Sequence, residues 1–124
     1  MGNRRILIVD DEPNILASLE FILRRAGFTI DTVMDGAEAL GRLRRQRYSG
    51  VILDVMLPGM NGFDVLRAVR ADATLAGLPV IVLTAKGQAN DRRAAEAIGA
   101  TAFITKPFSN AEVVERVSAL TQGR

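Results

Sequence analysis

The chain has 124 residues with no cysteine and no histidine, and its 16 basic and 14 acidic residues leave a formal net charge of +2. Disulfides, thiolate metal sites and thiol nucleophiles are thereby excluded, along with the commonest general base and zinc ligand. Carboxylates, hydroxyls and amines must carry whatever chemistry exists, and oxygen ligands favour a hard cation. The length fits one domain, 1–124, whose folding buries roughly two-thirds of the surface that the unfolded chain exposes. No apolar run approaches the ~18 residues of a membrane span and no secretory-type segment opens the chain. The expectation is a soluble, cytoplasmic protein without membrane insertion.

A first strand is expected near 5–9, where Ile6-Leu7-Ile8-Val9 runs into the carboxylates Asp10 and Asp11. Pro13 suits the first turn of a helix near 13–26, and Gly27 suits its exit. The second strand, near 28–33, is interrupted by Thr29, Asp31 and Thr32, whereas a strand covered on both faces would be apolar throughout, so it is expected at an edge. Asp35 and Glu38 stand at capping-box spacing before a helix near 36–47. That helix ends in Arg42, Arg44, Arg45 and Arg47, cations that offset the helix dipole on a solvated face. Base-reading motifs and interleaved aromatics are missing, so no direct nucleic-acid contact is expected.

The third strand, near 50–54, carries Val51-Ile52-Leu53 into the lone carboxylate Asp54, and the turn-forming stretch Pro58-Gly59-Met60-Asn61-Gly62 leads to a helix near 62–72. A fourth strand near 79–83 closes on Thr84, and a helix near 89–98 ends at Gly99. The fifth strand, near 101–105, closes on Lys106. Ser109 and Glu112 repeat the capping-box spacing before the last helix, near 109–121.

Strands alternating with helical segments indicate an α/β protein with a parallel sheet. Right-handed crossovers and an edge second strand favour a doubly wound, five-stranded sheet in the order 2-1-3-4-5, a three-layer α/β/α sandwich of the flavodoxin-like kind. Asp10, Asp11, Asp54, Thr84 and Lys106 then meet at the C-terminal edge of neighbouring strands, where open α/β sheets bind ligands. Each residue alone marks an ordinary strand end, but five together make a site. Converging carboxylates need protonation or a cation, and Mg2+, which combines one or two carboxylates with a phosphoryl oxygen, is the natural solution. Lys106 would pair with a phosphoryl group, Thr84 would donate to it, and Asp54 would be the nucleophile that forms an aspartyl phosphate. The chain contains no G-x-x-x-x-G-K-[ST] sequence, which excludes a P-loop NTPase.

In the stretches ILIVDDEP at 6–13, VILDVMLPGMNGFDVL at 51–66, VIVLTAKG at 80–87 and GATAFITKPFS at 99–109, the chain resembles the receiver domain of two-component response regulators, over nearly its whole length. The resemblance implies a phosphorylation-dependent signalling switch. Asp54 would accept a phosphoryl group from a sensor histidine kinase or histidine phosphotransfer protein, with Mg2+ held by Asp11, Asp54 and the Met56 carbonyl and assisted by Asp10 through its waters. It further implies that Thr84 and Phe103 form the switch, that the Lys106-Pro107 bond is cis, and that a downstream protein reads the face of the fourth helix, fifth strand and fifth helix. Met56, Ala85 and Lys86 would flank the phosphoryl group, small Ala85 leaving the acceptor accessible. Met56 and Lys86 replace commoner polar residues, so slow autodephosphorylation is expected. Ala100-Thr101-Ala102 lacks the aspartates that many DNA-binding members use in dimer salt bridges. A monomer or a weak phosphorylation-dependent dimer is expected.

Two other readings remain. A Mg2+-dependent phosphatase with an aspartyl nucleophile would need a second carboxylate near Asp54 as general acid, and Val55 and Met56 supply none. A flavodoxin-like cofactor binder would need stacking aromatics, of which the chain has few. On the receiver reading the protein is not an enzyme beyond its own phosphorylation and dephosphorylation.

Overall fold

The computed structural model describes residues 4–57, 59–85 and 87–122. Five strands, β1 (Arg5–Val9), β2 (Thr29–Val33), β3 (Gly50–Asp54), β4 (Val80–Ala85) and β5 (Ala102–Lys106), alternate with five helices, α1 (Pro13–Arg25), α2 (Gly36–Arg45), α3 (Gly62–Ala71), α4 (Ala89–Ile98) and α5 (Asn110–Thr121). The strands form one parallel sheet in the order β2-β1-β3-β4-β5. This is the expected doubly wound topology, with the partly polar β2 at an edge.

The pleat sends alternate residues to opposite faces, and each face has its own core. Leu7, Val9, Val51, Leu53, Val80 and Val82 pack with Leu40 and Leu43 of α2, Val65 and Val69 of α3 and Ala95 of α4. On the other face Ile6, Ile8, Ile52, Ile81, Leu83 and Ile104 meet Leu19 and Leu23 of α1 and Val113 and Val117 of α5. The three layers follow directly from this division of apolar side chains.

Capping chemistry fixes the helix starts. The side chains of Asp35, Asn61 and Ser109 accept hydrogen bonds from the N–H of Glu38, Asp64 and Glu112 respectively, so each satisfies a donor that the helix leaves orphaned. Gly27, with φ of 100°, and Gly99, with φ of 123°, take the left-handed region just past α1 and α4, where a side chain would be strained. The sequence placed Thr84 and Lys106 just beyond their strands, but the ladder continues through Thr84–Thr105 and Ala85–Lys106 pairs, so both are strand residues. The helix expected to reach residue 47 stops at Arg45, where Gln46 turns to an extended conformation.

Candidate functional site

Parallel register brings the polar strand ends together. Val9 of β1 pairs with Leu53 of β3, and Asp54 pairs with Leu83 of β4. Asp10 therefore follows directly beside Asp54, and Thr84 stands one step past Asp54's partner. Lys106 closes β5 opposite Ala85. Asp54 and Thr84 are each only 4% exposed and Asp10 is fully buried.

The two aspartates are held in the same way. Asp10 Oδ1 accepts the N–H of Glu12 and Asp54 Oδ1 accepts the N–H of Met56, both at 2.9 Å. These short Asx turns aim the second oxygen of each acid at the Lys106 ammonium, whose Nζ lies 3.3 Å from Asp10 Oδ2 and 3.3 Å from Asp54 Oδ2. Glu12 adds a third carboxylate to the same ammonium at 3.2 Å. The Nζ sits off the hydrogen-bonding direction of Asp10 Oδ2, so that contact is Coulombic. That oxygen is shielded from solvent without a donor.

Burial pushes the Asp10 carboxyl up to about 6; repulsion from Asp54 adds to this, while the Glu12 N–H and Lys106 oppose it. Burial pulls the Lys106 ammonium down, but the charges of Asp54 and Asp10 and the Glu12 hydrogen bond outweigh it, so the net shift is upward. The lysine stays charged. Three ionised carboxylates against one ammonium leave the pocket two negative charges in excess, and a divalent cation would cancel them. The oxygens of Asp10, Glu12 and Asp54 lie within 4.8 Å of one another. With the donorless Asp10 Oδ2 among them, this set fits a hard cation such as Mg2+.

Among the expected site residues, Asp10 and Asp54 both contact Lys106, and Thr84 joins them at the sheet edge. Asp11 is exposed and stands outside the carboxylate group, where Glu12 is found instead. The Met56 peptide N–H binds the Asp54 carboxylate, while its residue is 62% exposed. Ala85 is exposed. Lys86 lies outside the described residues. Phe103 is 8% exposed and points inward, with the Arg92 guanidinium of α4 4.7 Å from its ring centroid. The Lys106-Pro107 peptide is cis, as the resemblance implied. Sequence reasoning missed Glu12, although it stands next to the aspartate pair; no signal marked Arg92 as the partner of Phe103.

A doubly wound parallel sheet with buried aspartates facing a lysine at the C-terminal edge defines a class of α/β domains with an acidic ligand site at the strand ends. Within it, the chain belongs to the response regulator receiver domain family, which it matches over residues 6–118. It is 47% identical over 115 residues to the probable transcriptional regulatory protein TcrX of Mycobacterium tuberculosis, covering 93% of this chain and 48% of the relative. It is 44% identical over 116 residues to the DNA-binding response regulator MtrA of Mycolicibacterium smegmatis, covering 94% of this chain and 50% of the relative. The chain thus spans about half the length of the curated relatives it matches. Among solved structures it resembles a putative response regulator of Chloroflexus aurantiacus, with a TM-score of 0.94, 33% identity, and coverage of 97% of this chain and 98% of the other. It also resembles the receiver domain of a Pseudomonas aeruginosa sensor histidine kinase, described with a magnesium ion coordinated in its active-site cleft, with a TM-score of 0.90, 31% identity, and coverage of 97% and 98%.

The family match selects the signalling reading over the phosphatase and the cofactor binder. Receiver domains act in two-component signalling, work with histidine kinases and bind Mg2+ at their acidic site. Among the described residues no helix is long and apolar enough to cross a membrane.

Proposed function

We propose that Asp54 is the phosphoryl acceptor of a cytoplasmic signalling switch, charged by a sensor histidine kinase or a histidine phosphotransfer protein. The observation that carries this reading is the Lys106 ammonium 3.3 Å from Asp54 Oδ2. It stands ready to follow charge from the carboxylate to an incoming phosphoryl group. An Asp54 carboxylate oxygen attacks phosphorus, the donor's N–P bond breaks, and the leaving imidazole nitrogen keeps the bonding pair and takes up a proton. The product is a mixed anhydride on Asp54. Bound Mg2+ would neutralise phosphoryl charge, held by Asp54, the Met56 carbonyl and Asp11, whose exposed side chain would turn in to reach it, with Asp10 acting through the metal's waters and Glu12 in reach.

Thr84 then donates its hydroxyl to a phosphoryl oxygen, and Phe103 follows into the space it leaves. The α4-β5-α5 face changes and a downstream protein reads it. Autophosphorylation from a small donor and slow hydrolysis accompany the switch, since neither the thioether at position 56 nor the ammonium at position 86 is a carboxylate or amide of the kind that orients water. The expectation of no nucleic-acid contact is set aside, because MtrA, which this chain half spans, is named as DNA-binding. Intact-mass measurement after acetyl phosphate and Mg2+ tests the acceptor. One phosphoryl increment is expected on wild type and none on Asp54→Ala; equal incorporation in both would place the acceptor elsewhere.

A further inference from the structure

The arginine cluster at the end of α2 has no part in the acceptor site, which lies at the other edge of the sheet. The chain folds it around a cavity of about 660 Å³ whose wall includes Arg5, Arg44, Arg45, Arg47, Tyr48 and Thr74. That volume is within the range of small-ligand pockets. Its charges are only partly spent. Arg5 is bound to Asp31 at 3.0 Å, and Arg44 reaches Asp72 only at 3.8 Å. Arg45 and Arg47 are exposed and, among the described residues, have no carboxylate within ion-pair distance. Leu43, Leu75 and Leu78 give the same cavity an apolar lining.

We propose that this cavity binds a small polyphosphate anion, from pyrophosphate to nucleotide size. Cations at a helix C-terminus are accounted for by the helix dipole alone. The dipole does not account for their gathering around one concave volume, where the guanidinium groups of Arg45 and Arg47 would meet one anion with bidentate donors; the Thr74 hydroxyl is committed to Asp72 at 2.7 Å. A nucleic-acid strand would want an extended basic stripe and aromatic faces for stacking. The cavity's aromatic residue, Tyr48, is buried and commits its hydroxyl to Asp31 at 2.7 Å. Concavity and chemistry therefore favour a small ligand.

Titration of the labelled chain with inorganic pyrophosphate, without divalent cations, followed by amide NMR, tests the site. Saturable shifts are expected at residues 43–49 and 74–78. Their midpoint should weaken by roughly tenfold in Arg45→Gln combined with Arg47→Gln, two exposed changes that leave the rest of the spectrum intact. Linear shifts spread over other arginine-rich surface, including Arg92 and Arg93, would overturn the proposal. So would an unchanged midpoint in the double variant, or saturation at these residues by a short DNA duplex but not by pyrophosphate.

Discussion

At the scale of single residues, Asp10 sets the electrostatics of the pocket. Its folded-state value of about 6 stands above the model-compound 3.8, so folding favours the protonated acid. Below about pH 4 the group is protonated in both states and contributes nothing. Above about pH 6 the ionised form costs on the order of 3 kcal/mol. In magnesium-free buffer Asp10→Asn should therefore raise the unfolding temperature at pH 7 by several degrees, with the gain closing as the pH falls toward 4. Saturating Mg2+ should reverse the ranking at pH 7, because the cation rewards the ionised acid. Thermal unfolding at two pH values with and without Mg2+ checks both parts. A variant no more stable than wild type at pH 7 without metal would show that Lys106 already satisfies the carboxylate.

Among the single elements, α4 is the least anchored. It buries only Ala95, whereas α1 and α3 each bury four residues. Few apolar contacts place a helix at the low end of local stability. Phe103 lies under Arg92 of this same helix, a cation–aromatic contact worth about 0.5–1 kcal/mol where exposed. Addition of beryllofluoride with Mg2+ should shift amide signals of residues 87–108 far more than those of α2; a uniform response would mean that α4 and β5 do not respond as a unit. The strands, their order and the Asp35 and Ser109 caps are legible in the sequence because apolar runs, capping-box spacing and a polar edge strand are local signals; the Asn61 cap, with no Glu at that spacing, is read only as a turn. Glu12 in the carboxylate group and Arg92 over Phe103 are not legible, because both depend on how side chains meet across separate elements. The end of β4 was placed two residues short for the same reason: its last pairs exist only because β5 lies alongside.

Across the whole molecule, Arg70 ties together segments far apart in the chain. Its guanidinium donates to the carbonyls of Gly99 at 2.8 Å, Ala76 at 3.0 Å and Leu78 at 2.7 Å, and to Thr101 Oγ1 at 3.1 Å. One side chain thereby closes the α3–β4 and α4–β5 loops at the edge opposite the acceptor. Arg70→Ala should cost about 2 kcal/mol, lowering the unfolding temperature by roughly 5–10 °C, and Arg70→Lys should recover little of it because a point charge cannot span four acceptors. The extent of phosphorylation by acetyl phosphate at low temperature should not change, which separates a structural tie from a role at the site. The central claim is the identity of the acceptor, and it has a direct chemical test. An acyl phosphate is reduced by borohydride to an alcohol, so phosphorylation with acetyl phosphate and Mg2+, reduction and peptide mass mapping should convert position 54 alone. Conversion at position 10, 11 or 12 instead, or none above an unphosphorylated control, would contradict the account.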